Sequence, residues 1–213
     1  MNFIREAHFL ARNRRSAGAA HNSIRNRGPI SSGKVAIIRG YHLSSQENPM
    51  SLAPIFIQES TKTLRDNLAQ IQHCVDQLSE DDVWWRPFES QNAIGNILLH
   101  LSGNVRQWIV AGAGGKQDTR DRPAEFAERQ QIPKAELLRQ VEQTISDAID
   151  AIEKCDDANL SRIRPVQHWE VSGLSAIYHS VAHFYGHTQE IIYITRLRLG
   201  EKYRFRGLTA RSD

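Results

Sequence analysis

The chain has 213 residues, of which 40% are hydrophobic and 24% charged, enough apolar matter for one packed core and too much for wholesale disorder. Mean hydropathy is −0.50, and no apolar run approaches the roughly 18 residues of a membrane-spanning helix, which excludes an integral membrane protein. Two cysteines, Cys74 and Cys155, exclude a disulfide framework or a cysteine-rich zinc site and leave a reducing, cytoplasmic compartment as the expectation.

The formal net charge of +3 hides two unlike parts. Residues 1–49 hold eight basic and two acidic side chains, whereas 50–213 hold 19 basic and 22 acidic ones. A mildly acidic body has no general attraction for nucleic acid, so none is expected as a partner. The 1–49 segment lacks helical or strand periodicity and the roughly 7–15-residue apolar core of a secretory signal. It reads as a disordered basic arm or as an upstream extension, since ordered pattern begins just after Met50.

From Leu52 the period is helical. Leu64, Leu68, Ile71, Val75 and Leu78 step by three and four and define one buried face. Ser79 is a candidate N-cap for a short turn that Pro87 stops. A second helix is expected from about Ala93 to Ala111 with the stripe Ile94, Leu98, Leu101, Val105 and Trp108, ended by Gly112, Gly114 and Gly115. Residues 112–132 form a long connection, of the kind that often lines a site. Pro133 opens a third helix with the stripe Leu138, Val141, Ile145, Ala148 and Ile152. Residues 156–171 read as a loop. Ser172 caps a fourth helix running to Leu199, with Gly200 as its stop. The fold class is therefore all-α, a four-helix bundle over 50–213 with long connections and no substantial sheet.

Histidine placement carries the chemistry. His183 and His187 are four apart on the fourth helix, so their rings leave one face about 40° apart. His100 lies midway along the second helix and also borders an apolar stripe. Three imidazoles from two facing helices can ligate a divalent metal such as zinc or nickel. Three protein ligands leave a coordination position open for water or substrate, the arrangement of catalytic zinc. Spacing alone leaves open the alternative of satisfied core or surface histidines.

Three stretches together resemble the DinB-like superfamily of four-helix-bundle metalloproteins, which includes metal-dependent thiol transferases. They are Leu78-Ser79-Glu80-Asp81-Asp82-Val83-Trp84-Trp85-Arg86-Pro87, then Ile94-Gly95-Asn96-Ile97-Leu98-Leu99-His100-Leu101-Ser102-Gly103-Asn104, and then His183-Phe184-Tyr185-Gly186-His187-Thr188-Gln189-Glu190-Ile191. Thr188 stands where the family commonly has glycine. The resemblance spans about 52–200 and implies His100, His183 and His187 as the metal ligands. It also implies transfer of a low-molecular-weight thiol to an electrophile, or metal-assisted hydrolysis; the alternative is a non-catalytic metal-binding or stress-associated module. The partners so implied are a small thiol and an electrophilic substrate, with a homodimer allowed.

Around that site, Glu190 is the candidate catalytic group, able to accept a proton or to orient a ligand imidazole, against a solvated carboxylate. His179 continues the four-residue series but lies about 80° from His187, which points to the rim. Asn104 reads as a partner of a metal-bound water or as a polar position at the bundle edge. Arg120, Arg122 and Glu125 read as solvated loop charges or as anion contacts. Of Trp84 and Trp85 only one can face the core, and Trp108 and Trp169 read as packing. Cys74 and Cys155 read as buried small hydrophobes.

Overall fold

The structure, a computed structural model, describes residues 51–207. The basic arm at 1–49 lies outside the described residues. Four long helices appear where the apolar stripes place them: α1 (Ala53–Asp76), α3 (Ile94–Val105), α5 (Lys134–Glu153) and α7 (Gly173–Leu199). Short helices α2 (Glu80–Trp84), α4 (Arg122–Ala127) and α6 (Asp157–Ser161) lie in the connections. Helix α1 packs on α5 and α7, and α3 packs on the same two, so α1 and α3 stand at opposite corners of the bundle. No described helix is long and apolar enough to cross a membrane.

The helix ends follow from local chemistry. The Ser79 hydroxyl accepts from the Asp82 N–H, and the Asp82 carboxylate accepts from the Ser79 N–H, a capping box that starts α2. The Ser172 hydroxyl likewise accepts from the Ser175 N–H at the start of α7. Gly200 ends α7 with a φ of 53°, a conformation glycine adopts at little cost.

The core is built from the expected stripes: Leu64, Ile71, Val75, Ile94, Leu98, Leu101, Val141, Ile145 and Ile152 are all buried. Each fully buried Leu, Ile, Val or Phe contributes about 1.5–3 kcal/mol by leaving water. On α5, Leu137 is the fully buried residue rather than the expected Leu138, which packs from the side. Trp84 is buried against Gly95 and donates its indole N–H to the Ile132 carbonyl at 3.0 Å. Trp85 faces the other way, with the Arg198 guanidinium 4.6 Å above its ring.

Two elements depart from the sequence reading. Helix α3 continues as a π-helical stretch over Arg106–Ala113, with the Gly114 N–H bonded back to the Ile109 carbonyl. The wider turn changes the angular step after Val105. Trp108 therefore leaves the main core and packs with Val166 and Ala176 in a satellite cluster. The 156–171 segment is not a plain loop. It holds α6 and an antiparallel hairpin of β1 (Ile163–Val166) and β2 (Trp169–Ser172), with Pro165 opposite Glu170. Val166 seats against Gly112, where an added Cβ would stand 2.8 Å from its methyl. Arg164 donates to the carbonyls of Gly112 and Ala113, satisfying the end of the π-helical stretch.

Candidate metal centre

Neighbouring helices α3 and α7 bring the three expected histidines together. One potential ligand atom from each of His100, His183 and His187 lies within 4.8 Å of the others. His100 Nε2 and His183 Nε2 are 2.9 Å apart. Ring centroids are 4.5 Å apart for His183 and His187 and 5.2 Å apart for His100 and His187. His100 is buried, whereas the other two are half-buried, so the cluster sits where the core meets the surface.

The outer nitrogens of two rings meet carboxylates. His100 Nδ1 is 2.9 Å from Glu125 Oε2, and His187 Nδ1 is 2.7 Å from Glu190 Oε2. A carboxylate only accepts, so Nδ1 of each ring carries a proton, and Nε2 is the atom left to a metal. Arg120 Nη2 also stands 3.0 Å from His100 Nδ1 but donates to Glu125 Oε2 at 2.8 Å. The tautomer with Nδ1–H of His100 donating to Glu125 pairs all three groups; a bare Nδ1 would face the carboxylate lone pairs.

Glu125 and Arg120 are not solvated loop charges. Their side chains are 9% and 3% exposed and joined by Arg120 Nε donating to Glu125 Oε1 at 2.7 Å. The sequence reading missed this because both lie in the irregular 112–132 connection, where no period marks burial. The signal that was present is Asp121, whose side chain accepts from the Ala124 N–H and caps the short helix carrying Glu125 inward. The Gln107 side chain joins the connection to the bundle, accepting from Arg120 Nη1 at 2.9 Å and donating to Asp118 at 2.7 Å.

Burial sets the charge states. It pushes the His100 pKa down, with the charges of His187 and Arg120 adding to it and the hydrogen bond to Glu125 opposing. Burial, with the like charges of His187, His100, His179 and Arg120, pushes His183 down to about 3. Burial by itself would raise Glu125, but hydrogen bonds from Arg120 and His100 and the guanidinium charge hold it below the usual carboxylate value. The ring nitrogens of His100 and His183 are thus neutral near pH 7, the state metal ligation needs.

Around the triad, Phe126 from α4 lies 4.8 Å from the His100 ring, with Arg122 placed 4.9 Å over the phenyl face. His179 takes the rim position: its ring stacks 4.0 Å from Trp108 and 6.0 Å from His183. Asn104 is buried and accepts from the Ser180 hydroxyl at 2.9 Å, a helix-to-helix bond rather than an edge position. Trp169 is exposed, and Cys155 is only half-buried, unlike the fully buried Cys74. A groove of about 340 Å³ runs behind Arg120 and Glu125 between α3, α5 and the connection, and none of the three histidines lines it.

A family model described as "Protein of unknown function (DUF1572)" matches residues 51–210. The chain belongs to the DUF1572 family. No curated protein matches it. Among solved structures, this DUF1572 chain is similar to a conserved protein from Enterococcus faecalis, with a TM-score of 0.56 and 14% identity over 67% of this chain and 96% of that one. It is also similar to the DinB-like protein YjoA of Bacillus subtilis, with a TM-score of 0.53 and 12% identity over 69% of this chain and 96% of that one. The fold is therefore DinB-like, as the three sequence stretches imply.

Proposed function

We propose that this DUF1572 protein holds a divalent ion, zinc or nickel, on His100, His183 and His187 and uses it on a small thiol or water. The observation that carries the reading is the convergence of three imidazole nitrogens within 4.8 Å. The donor set fits. Zinc takes imidazole nitrogen at about 2.0–2.1 Å, so two such ligands of a tetrahedral ion stand about 3.3 Å apart, close to the 2.9 Å between His100 and His183. When bound, such an ion supplies Lewis acidity that lowers the pKa of a thiol or water in its remaining position.

The chain's own residues do the rest. The Glu190 side chain is 46% exposed and holds the outer nitrogen of His187, so it can orient that ring and relay to solvent the proton that the thiol or water releases. Phe126 provides an apolar wall beside His100, and the Arg122 guanidinium over its ring could meet a negatively charged substrate group. The reaction class is transfer of a low-molecular-weight thiol to an electrophile, in which the S–H bond and the electrophile's carbon–leaving-group bond break, an S–C bond forms, the leaving group departs with the bonding electrons and the thiol proton passes to Glu190 or solvent, or else hydrolysis.

A second reading, a metal-binding module without catalysis, is favoured by one observation: Glu125 and Glu190 are both occupied with ligand nitrogens. Cobalt substitution separates the two. With cobalt in wild-type protein, small thiols should produce a sulfur-to-metal charge-transfer band that His187→Ala abolishes. If cobalt binds but no thiol or other added ligand alters its spectrum, the site is closed and the second reading replaces the first.

A further inference from the structure

Glu125 reaches His100 from a connection that lies 25 residues further along the chain. Three observations show a place built to receive it. Arg120 clamps both carboxylate oxygens, with Nε on Oε1 at 2.7 Å and Nη2 on Oε2 at 2.8 Å. Helix α3 carries Gly103 beneath it, where an added Cβ would stand 1.9 Å from Glu125 Oε1 and 2.9 Å from Arg120 Nε. Gln107 ties the clamp to the π-helical stretch and, by accepting from Gln167 Nε2 at 2.5 Å, to the turn of the hairpin.

A buried ion pair in a surface connection has a high desolvation cost and is weak evidence for stability alone. A carboxylate on the outer nitrogen of a ligand imidazole, in contrast, fixes the tautomer, orients the ring and raises its basicity. Resting on the metal reading above, we propose that Glu125 is a positioning residue of the centre, locked by Arg120, and that folding of the 114–132 connection onto α3 is thereby coupled to metal affinity. The coupling is reciprocal: a connection held in place strengthens the site, and an ion in the site holds the connection down.

The experiment is zinc titration of the full chain against a chromophoric chelator, for wild type, Glu125→Gln and Arg120→Lys, each checked for helicity without metal. Glu125→Gln keeps the size of the side chain and removes its charge, Arg120→Lys keeps the charge and removes the two-point clamp, and two variants guard against one failing to fold. Zinc affinity should drop about 10–100-fold in each folded variant, the range for lost partners of ligand histidines. At saturating cobalt, the visible bands of Glu125→Gln should also shift, which a mere loss of stability does not produce. Zinc should slow tryptic cleavage at Lys116 and Arg129 in wild type and much less in Glu125→Gln. Wild-type zinc binding with unchanged affinity and spectra in the folded variants overturns this proposal alone. Absence of zinc binding by wild type removes the metal reading and this proposal together.

Discussion

His183 sits among His100, His187, His179 and Arg120, and burial beside these groups holds its pKa down to about 3. A histidine in an unfolded chain titrates near 6.5. Between those values the unfolded state binds a proton that the folded state refuses, so this contribution to stability is complete above about pH 6.5 and is lost as pH falls toward 3. Burial shifts His100 and His179 the same way. Glu125, held below 4.5 in the folded state, adds a further loss in still more acid solution. The melting temperature of metal-free protein should therefore fall between pH 7 and 4, and His183→Asn should flatten that fall. A wild-type melting temperature constant over this range contradicts the assignment. Gly103→Ala acts at the same scale. Its methyl would overlap Glu125 Oε1 and Arg120 Nε, and overpacking of this kind costs about 1–3 kcal/mol. Denaturant unfolding checks that figure, and zinc affinity should decline with it.

Among the elements, α1, α3, α5 and α7 were legible because apolar residues recur at three and four over many turns, and because Ser172 and Gly200 bound the last of them. Other elements were not. The π-helical stretch has no residue pattern distinct from an α-helix, so the fate of Trp108 could not be read. The hairpin strands are four residues each, the first holds a proline, and burial in the second does not alternate. Short connecting elements take their form from what they cover, here the satellite cluster and the carbonyls that Arg164 meets. The same scale gives a packing test at the start of α3. Gly95 lets three ring atoms of Trp84 approach to where its Cβ would be, 2.8 Å away. Gly95→Ala should destabilise by about 1–3 kcal/mol, read as a lower denaturant midpoint with an unchanged slope. Zinc affinity should stay within about twofold, because the ligand His100 lies more than a turn further on. A large loss of zinc binding in this variant contradicts the independence of α2 docking from the centre.

For the whole molecule, the ligand set was legible because two helical stripes placed His100, His183 and His187 on inward-turned faces, and the bundle brings α3 against α7. Their supporting layer was only half legible. Glu190 is one turn from His187 and falls out of helix geometry, whereas Glu125 and Arg120 depend on how a long connection folds back over α3. If the centre binds metal only in the folded state, free zinc at about 1,000 times its Kd should stabilise the protein by about 4 kcal/mol. At this chain length that corresponds to a rise of about 8–16 °C in melting temperature, reversed by chelator. The most direct test of the central claim is the zinc stoichiometry of the full chain after equilibrium dialysis, measured beside His100→Ala, His183→Ala and His187→Ala. The account predicts about one ion per wild-type chain and a sharp loss in each variant. A wild-type chain that retains no zinc, or three variants that retain as much as wild type, would contradict it.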